Sequence, residues 1–141
     1  MDTAEKTMIT IEADVNAPVE KVWNYWTSPE HIVRWNNASD DWHTPRAEND
    51  LVAGGKFSSR MESKDGTMGF DFEGHYTEVE KHKLIAYTLG DGRTVSIQFE
   101  DRGGKTFIRE TFEAENTHPA DFQKKGWQAI LDNFKKYSEE N

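Results

Sequence analysis

The chain has 141 residues, a net charge of −9 from 26 acidic and 17 basic side chains, and no cysteine. The length suits one domain with its own core, expected to take in residues 1–141; the missing cysteines exclude thiol catalysis, disulfide scaffolds and thiolate zinc sites. The acidic surface repels phosphate backbones, so no nucleic-acid partner is expected.

Aromatic residues make up 12% of the chain, including five Trp and eight Phe, so its apolar surface is concentrated in a few large side chains. The amino terminus carries no apolar run of signal-peptide length, and no segment approaches the roughly 18 apolar residues of a membrane span. The chain is therefore expected to be soluble and cytoplasmic.

The first element is a half-buried strand over Met8 to Val15, with Ile9, Ile11, Ala13 and Val15 alternating against polar neighbours. The period then changes. Pro18 suits a first helical position, and Val19, Val22, Trp23 and Trp26 follow at helical spacing. Ser28 and Pro29 open a second short helix, whose apolar contacts are Ile32 and Trp35.

Residues 36–55 are polar and lack a helical period. A short edge strand is expected near Trp42 to Ala47, where Pro45 is tolerated only at an edge. Two strands follow, turned at Lys64, Asp65 and Gly66. Phe57 and Met61 share a face of the first, and Phe70, Phe72 and Tyr76 form the apolar side of the second.

Three more strands are turned at Gly90 to Gly92 and at Gly103 and Gly104, with Ile85, Tyr87 and Leu89, then Val95, Ile97 and Phe99, on consistent faces. The last of them, "TFIRETF", places Glu110 on the face of Ile108 and Phe112. The carboxy-terminal segment is a long amphipathic helix, with Phe122, Gly126, Ile130 and Phe134 every four residues and Trp127, Leu131 and Tyr137 widening the stripe.

Such a helix must cover an apolar sheet face, which predicts an α+β domain with a curved antiparallel sheet. A helix across a strongly curved sheet leaves space beneath it. Trp42, Phe57, Met61, Phe72, Tyr87, Phe99, Trp127 and Leu131 are the candidates to line that space, and a filled core built from the same side chains is the plainer reading.

No histidine spacing or acidic cluster makes a metal site, no glycine pair precedes a helix as a phosphate cradle, and no serine sits in a nucleophile elbow. No metal or cofactor is expected. Asp71, Glu73 and His75 line one face of a strand opposite its apolar side and read as a solvated stripe. A core-facing Glu110 needs a partner, a wet cavity or a raised pKa. The first reading is a structural ion pair with an Arg or Lys; the others are a polar ligand anchor and a general base.

The order of elements, with "APVEKVW", "SPEHIVRW", "VAGGKF", "FEGHYTEVE", "KLIAY" and "GWQAILDNF", resembles the START-like (SRPBCC) helix-grip superfamily, whose fold the birch-pollen allergen shares. Within it the sequence is most similar to the branch named after the carboxy-terminal domain of the activator of the heat-shock protein 90 ATPase. The resemblance runs from about Thr7 to Tyr137. It implies a sheet of seven strands gripping the long helix, and a cavity that in many relatives takes lipids, polyketides, flavonoid-like aromatics or hormones.

It implies no reaction, because members include binding proteins, cyclases, hydrolases and a co-chaperone. The expected function is binding of a small hydrophobic or aromatic molecule. A stand-alone chaperone-interaction module is the first alternative, and a cyclase or hydrolase using Glu110 is the second. A protein partner or a homodimer stays open.

Overall fold

The computed structural model describes residues 7–141. Strand β1 (Met8–Val15) leads into helices α1 (Val19–Thr27) and α2 (Pro29–Trp35). Six strands follow: β2 (Trp42–Asn49), β3 (Lys56–Ser63), β4 (Gly69–Glu80), β5 (Leu84–Leu89), β6 (Thr94–Asp101) and β7 (Thr106–Glu113). Helix α3 (Ala120–Glu140) comes last.

The strands form one antiparallel sheet in the order β1-β7-β6-β5-β4-β3-β2. Strands β2 to β7 are a meander, and β1 closes it by pairing with β7 from Met8 opposite Glu113 to Val15 opposite Thr106. This is the helix-grip α+β architecture expected from the resemblance, with seven strands, two short helices and a long carboxy-terminal helix.

Pro45 lies on the edge strand β2, where the register against β3 shifts between His43 and Arg46, so its missing N–H interrupts the ladder only at the rim. A second register shift, between Tyr76 and Glu78 in β4, adds to the bend of the sheet. Pro18 and Pro119 each stand one residue before their helices as N-caps, and Ser28 precedes Pro29 at the start of α2.

The core lies on the concave face. Ile11, Val15, Val22, Ile85, Ile97, Ile108, Phe112, Leu131 and Phe134 are almost fully withdrawn from solvent. Helix α3 grips with its carboxy-terminal half. Phe134 meets the rings of Trp26 at 4.7 Å and Trp35 at 4.8 Å, and Asn133 Nδ2 donates to the Trp35 carbonyl at 2.8 Å. Farther along, Lys135 Nζ donates to the Asp14 carbonyl at 2.6 Å, and Glu139 Oε2 accepts from the Asn16 N–H at 2.7 Å. The buried Thr106 hydroxyl donates to the Ala17 carbonyl at 2.9 Å and fixes β7 to the β1–α1 corner.

Two side chains of the apolar stripes border the cavity but stay exposed to solvent. Phe122 is 64% exposed, while its neighbour Gln123 is buried. The Gln123 amide satisfies the β7–α3 loop: Oε1 accepts from the Glu115 N–H at 2.8 Å, and Nε2 donates to the His118 carbonyl at 2.7 Å. The loop's backbone thus sets the rotation of the first helical turn. Phe70, near the start of β4, is 48% exposed. Asp71, Glu73 and His75 face solvent as expected.

Gly74 is required by a close approach. A Cβ there would lie 2.2 Å from the Thr88 carbonyl oxygen and 3.1 Å from Leu89 Cα, both backbone atoms of the neighbouring strand. Gly74→Ala is therefore expected to destabilise the fold by about 1–3 kcal/mol. Urea unfolding of the variant checks this, and an unchanged midpoint would mean that β4 and β5 separate without cost.

Candidate functional site

Between the sheet and the amino-terminal half of α3 lies a cavity of about 490 Å³, within the roughly 300–1,000 Å³ usual for small-molecule sites. Its roof is Gln123, Gly126, Trp127 and Ile130 of α3; its floor includes Phe57, Ser59 and Met61 of β3, Phe72 and Tyr76 of β4, and Ile85 and Tyr87 of β5. Trp26, Ile32 and Trp35 close one end. Trp42, Phe70 and Phe122 stand at the mouth, where the last two are solvent-exposed.

The walls are held by ring contacts across neighbouring strands. Phe57 meets Tyr87 at 4.7 Å and Tyr76 at 5.2 Å, and the Trp127 ring meets Phe72 edge-on at 6.0 Å. The other face of Trp127 lies flat on Phe112, 4.0 Å away and 8° from parallel. Gly126 faces open space, with no atom within 4 Å of where a Cβ would stand.

Glu110 reaches this cavity from β7. Its alternation with Ile108 and Phe112 turns it inward, and it is 5% exposed. In register it lies between Ile11 of β1 and Ile97 of β6, so apolar residues border it on four sides. No described residue gives it a hydrogen bond or an ion pair. The structural ion pair expected from sequence is absent among the described residues, since the arginine of the same strand, Arg109, faces outward and pairs with Glu12 at 3.0 Å. Burial alone pushes the Glu110 carboxyl up to about 8.

Tyr87 is the second polar group on the wall. It is 9% exposed and without a hydrogen-bond partner among the described residues, and burial, followed by the nearby Glu110 charge, raises its hydroxyl well above the usual tyrosine range. Tyr76 accepts from Asn49 Nδ2 at 3.2 Å.

Of the residues expected to line a cavity, Trp42, Phe57, Met61, Phe72, Tyr87, Glu110 and Trp127 all border it. Phe99 and Leu131 do not. Phe99 sits beneath α1, with its ring 5.3 Å from Trp23 and 5.8 Å from Trp26, and Leu131 is sealed in the core where α3 grips. Trp26, Ile32 and Trp35, expected only as apolar contacts of the short helices, also stand on the wall. Their helical spacing shows an inward face but not which part of the sheet that face meets.

The Glu110 result sets a sign for pH dependence. A carboxyl raised from 4.5 to about 8 contributes stability that is complete below pH 4.5 and is lost as pH rises through 8. Glu110→Gln removes that loss. Its stability relative to the parent should be constant below pH 4.5, grow by several kcal/mol between pH 4.5 and 8, and then level off. Urea unfolding across that range measures the difference, and a flat profile would show that the carboxyl is solvated in the fold.

The geometry agrees with the fold of solved proteins. An AHSA1-like protein from Aeromonas hydrophila is 47% identical over 95% of this chain and 93% of its own, with a TM-score of 0.89. A protein from Cytophaga hutchinsonii is 53% identical over 94% of this chain and 92% of its own, with a TM-score of 0.81. A protein from Chromobacterium violaceum, 17% identical over 94% and 96% of the two chains, shares the fold at a TM-score of 0.81. No curated protein matches the sequence. Residues 16–139 match the family described as Activator of Hsp90 ATPase homolog 1-like protein, and the chain belongs to that family.

Proposed function

We propose that the protein binds a small hydrophobic or aromatic molecule, of lipid, polyketide or flavonoid-like character, in the cavity between the sheet and α3. The observation that carries this reading is a buried carboxyl, without a hydrogen-bond or ion-pair partner among the described residues, on the wall of a largely apolar cavity. Buried polar groups are nearly always satisfied within a fold, and the exceptions concentrate where a ligand completes them. Trp42, Phe57, Met61, Phe72 and Trp127 supply ring faces and a flexible thioether; Glu110 and Tyr87 supply orientation.

A protein-interaction module is the second reading. The observation favouring it is the exposed apolar rim of Phe70 and Phe122 at the mouth, with Met68 exposed just before β4.

A thermal-shift series separates the two. Under the first reading, aromatic compounds raise the melting temperature in proportion to the logarithm of their concentration, with about 2.7 kcal/mol gained at 100 times Kd. Gly126→Phe should fill the cavity and abolish the shift. Gly126→Ala should keep it and stabilise the free protein by about 0.5–1 kcal/mol, because the helix loses a glycine and the new methyl group meets nothing. A shift that survives Gly126→Phe would place binding outside the cavity.

A further inference from the structure

The polar groups on the cavity wall are matched to one kind of ligand atom. Tyr87 Oη has no partner among the described residues, and Tyr76, which accepts from Asn49, keeps its own proton free. Glu110, with its carboxyl held protonated by burial, is a third hydroxyl donor. The side-chain carbonyl of Gln123 is already engaged by the β7–α3 loop. Among the described residues, only Ser138 Oγ, outside the cavity, is a fully enclosed side-chain polar atom without a partner. The Glu110 and Tyr87 oxygens therefore keep contact with accessible space, and that space is the cavity.

Their placement brings them toward a common point. Ile97 of β6 pairs with Glu110 on one side and with Ile85 on the other, and Tyr87 is the next inward position of β5 after Ile85. One strand and one inward step separate them, on a concave face where side chains converge. The electrostatic influence of Glu110 on Tyr87 reflects that proximity.

Resting on the ligand-binding reading above, we propose that the cavity selects aromatic ligands carrying a carbonyl group, whose oxygen accepts hydrogen bonds from the side chains of Glu110 and Tyr87. A carbonyl oxygen has two lone pairs and no proton, so it satisfies both donors at once. A hydrocarbon would leave both donors unpaired, which weakens its binding. An ammonium group would bring more donors to two side chains that themselves donate, and would need Glu110 to lose its proton first.

The titratable or charged side chains on the wall besides Glu110 are Tyr76, Tyr87, Arg93, Glu115 and His118, from the sheet and its adjoining loops; α1, α2 and α3 contribute none. His118 hydrogen-bonds Glu115. Substituting Glu110 alone therefore isolates its part of any pH profile.

The test compares fluorenone, fluorene and 9-aminofluorene by isothermal titration calorimetry at pH 6.5 and pH 9.5. Fluorenone should bind about 10-fold or more tighter than fluorene at pH 6.5, as one net hydrogen bond implies. That preference should shrink at pH 9.5, where the carboxyl is ionised and no longer donates. Glu110→Gln should keep a preference for fluorenone, through its amide N–H, and lose the pH dependence. Tyr87→Phe should reduce the preference, because it removes a donor that fluorenone pairs and fluorene leaves unpaired.

Equal affinities for fluorenone and fluorene at both pH values would overturn the carbonyl inference and leave the binding reading standing. Tighter binding of 9-aminofluorene than of fluorenone would overturn it in favour of a carboxylate–ammonium pair. Failure of all three to bind saturably would overturn the binding reading itself.

Discussion

The separation between α3 and the sheet is set by the Trp127 ring lying flat on Phe112. Two aromatic planes in contact cannot come closer than their combined thickness, and neither ring can be pushed deeper without displacing β7. On the β1 side of this contact the helix closes down, and Leu131 and Phe134 join Trp26 and Trp35 in a packed core. On the β3–β4 side Trp127 meets Phe72 edge-on, and the cavity lies between the helix and the sheet. Gly126, one residue before Trp127, adds nothing to fill the gap. Core and cavity are thus two outcomes of one helix meeting one curved surface.

Within that cavity Glu110 works against the stability of the free fold. Its neighbours in register, Ile11 and Ile97, offer it neither charge nor hydrogen bond, and the carboxyl answers by holding its proton. Apolar burial elsewhere offsets the cost, since nearly every inward position of β1, β6 and β7 is aliphatic or aromatic. Folds depart from internal consistency mostly where something else is being selected, and here the departure is one side chain in one strand.

Much of this was legible before any coordinates. Strand alternation has a period of two, so "TFIRETF" determines that Glu110 shares a face with Ile108 and Phe112 whatever surrounds it. Turn glycines and the change of period at Pro18 delimited the elements for similar local reasons. What stayed illegible depends on distance across the fold. Whether Glu110 has a counterion is decided by Arg109 facing the other way and by the absence of a cationic side chain on the cavity-facing side of α3. Phe99 and Leu131 have the right periodicity for a cavity wall, yet α1 and the grip of α3 cover them. Phe122 has the periodicity of the stripe and borders the cavity, yet it stays exposed while the loop buries the Gln123 amide beside it.

The pairing of β1 with β7 also shapes how the protein is made. Strands β2 to β7 join neighbours through short turns and can form successively, whereas β1 must wait for the strand nearly at the opposite end of the chain. Contacts of such sequence separation carry the largest loop-closure cost and are expected late in folding. During synthesis, Ile9 and Ile11 emerge long before their partners Phe112 and Glu110. Until β7 arrives β1 has no sheet to join, and it carries the charged Glu12 and Asp14 between its apolar residues.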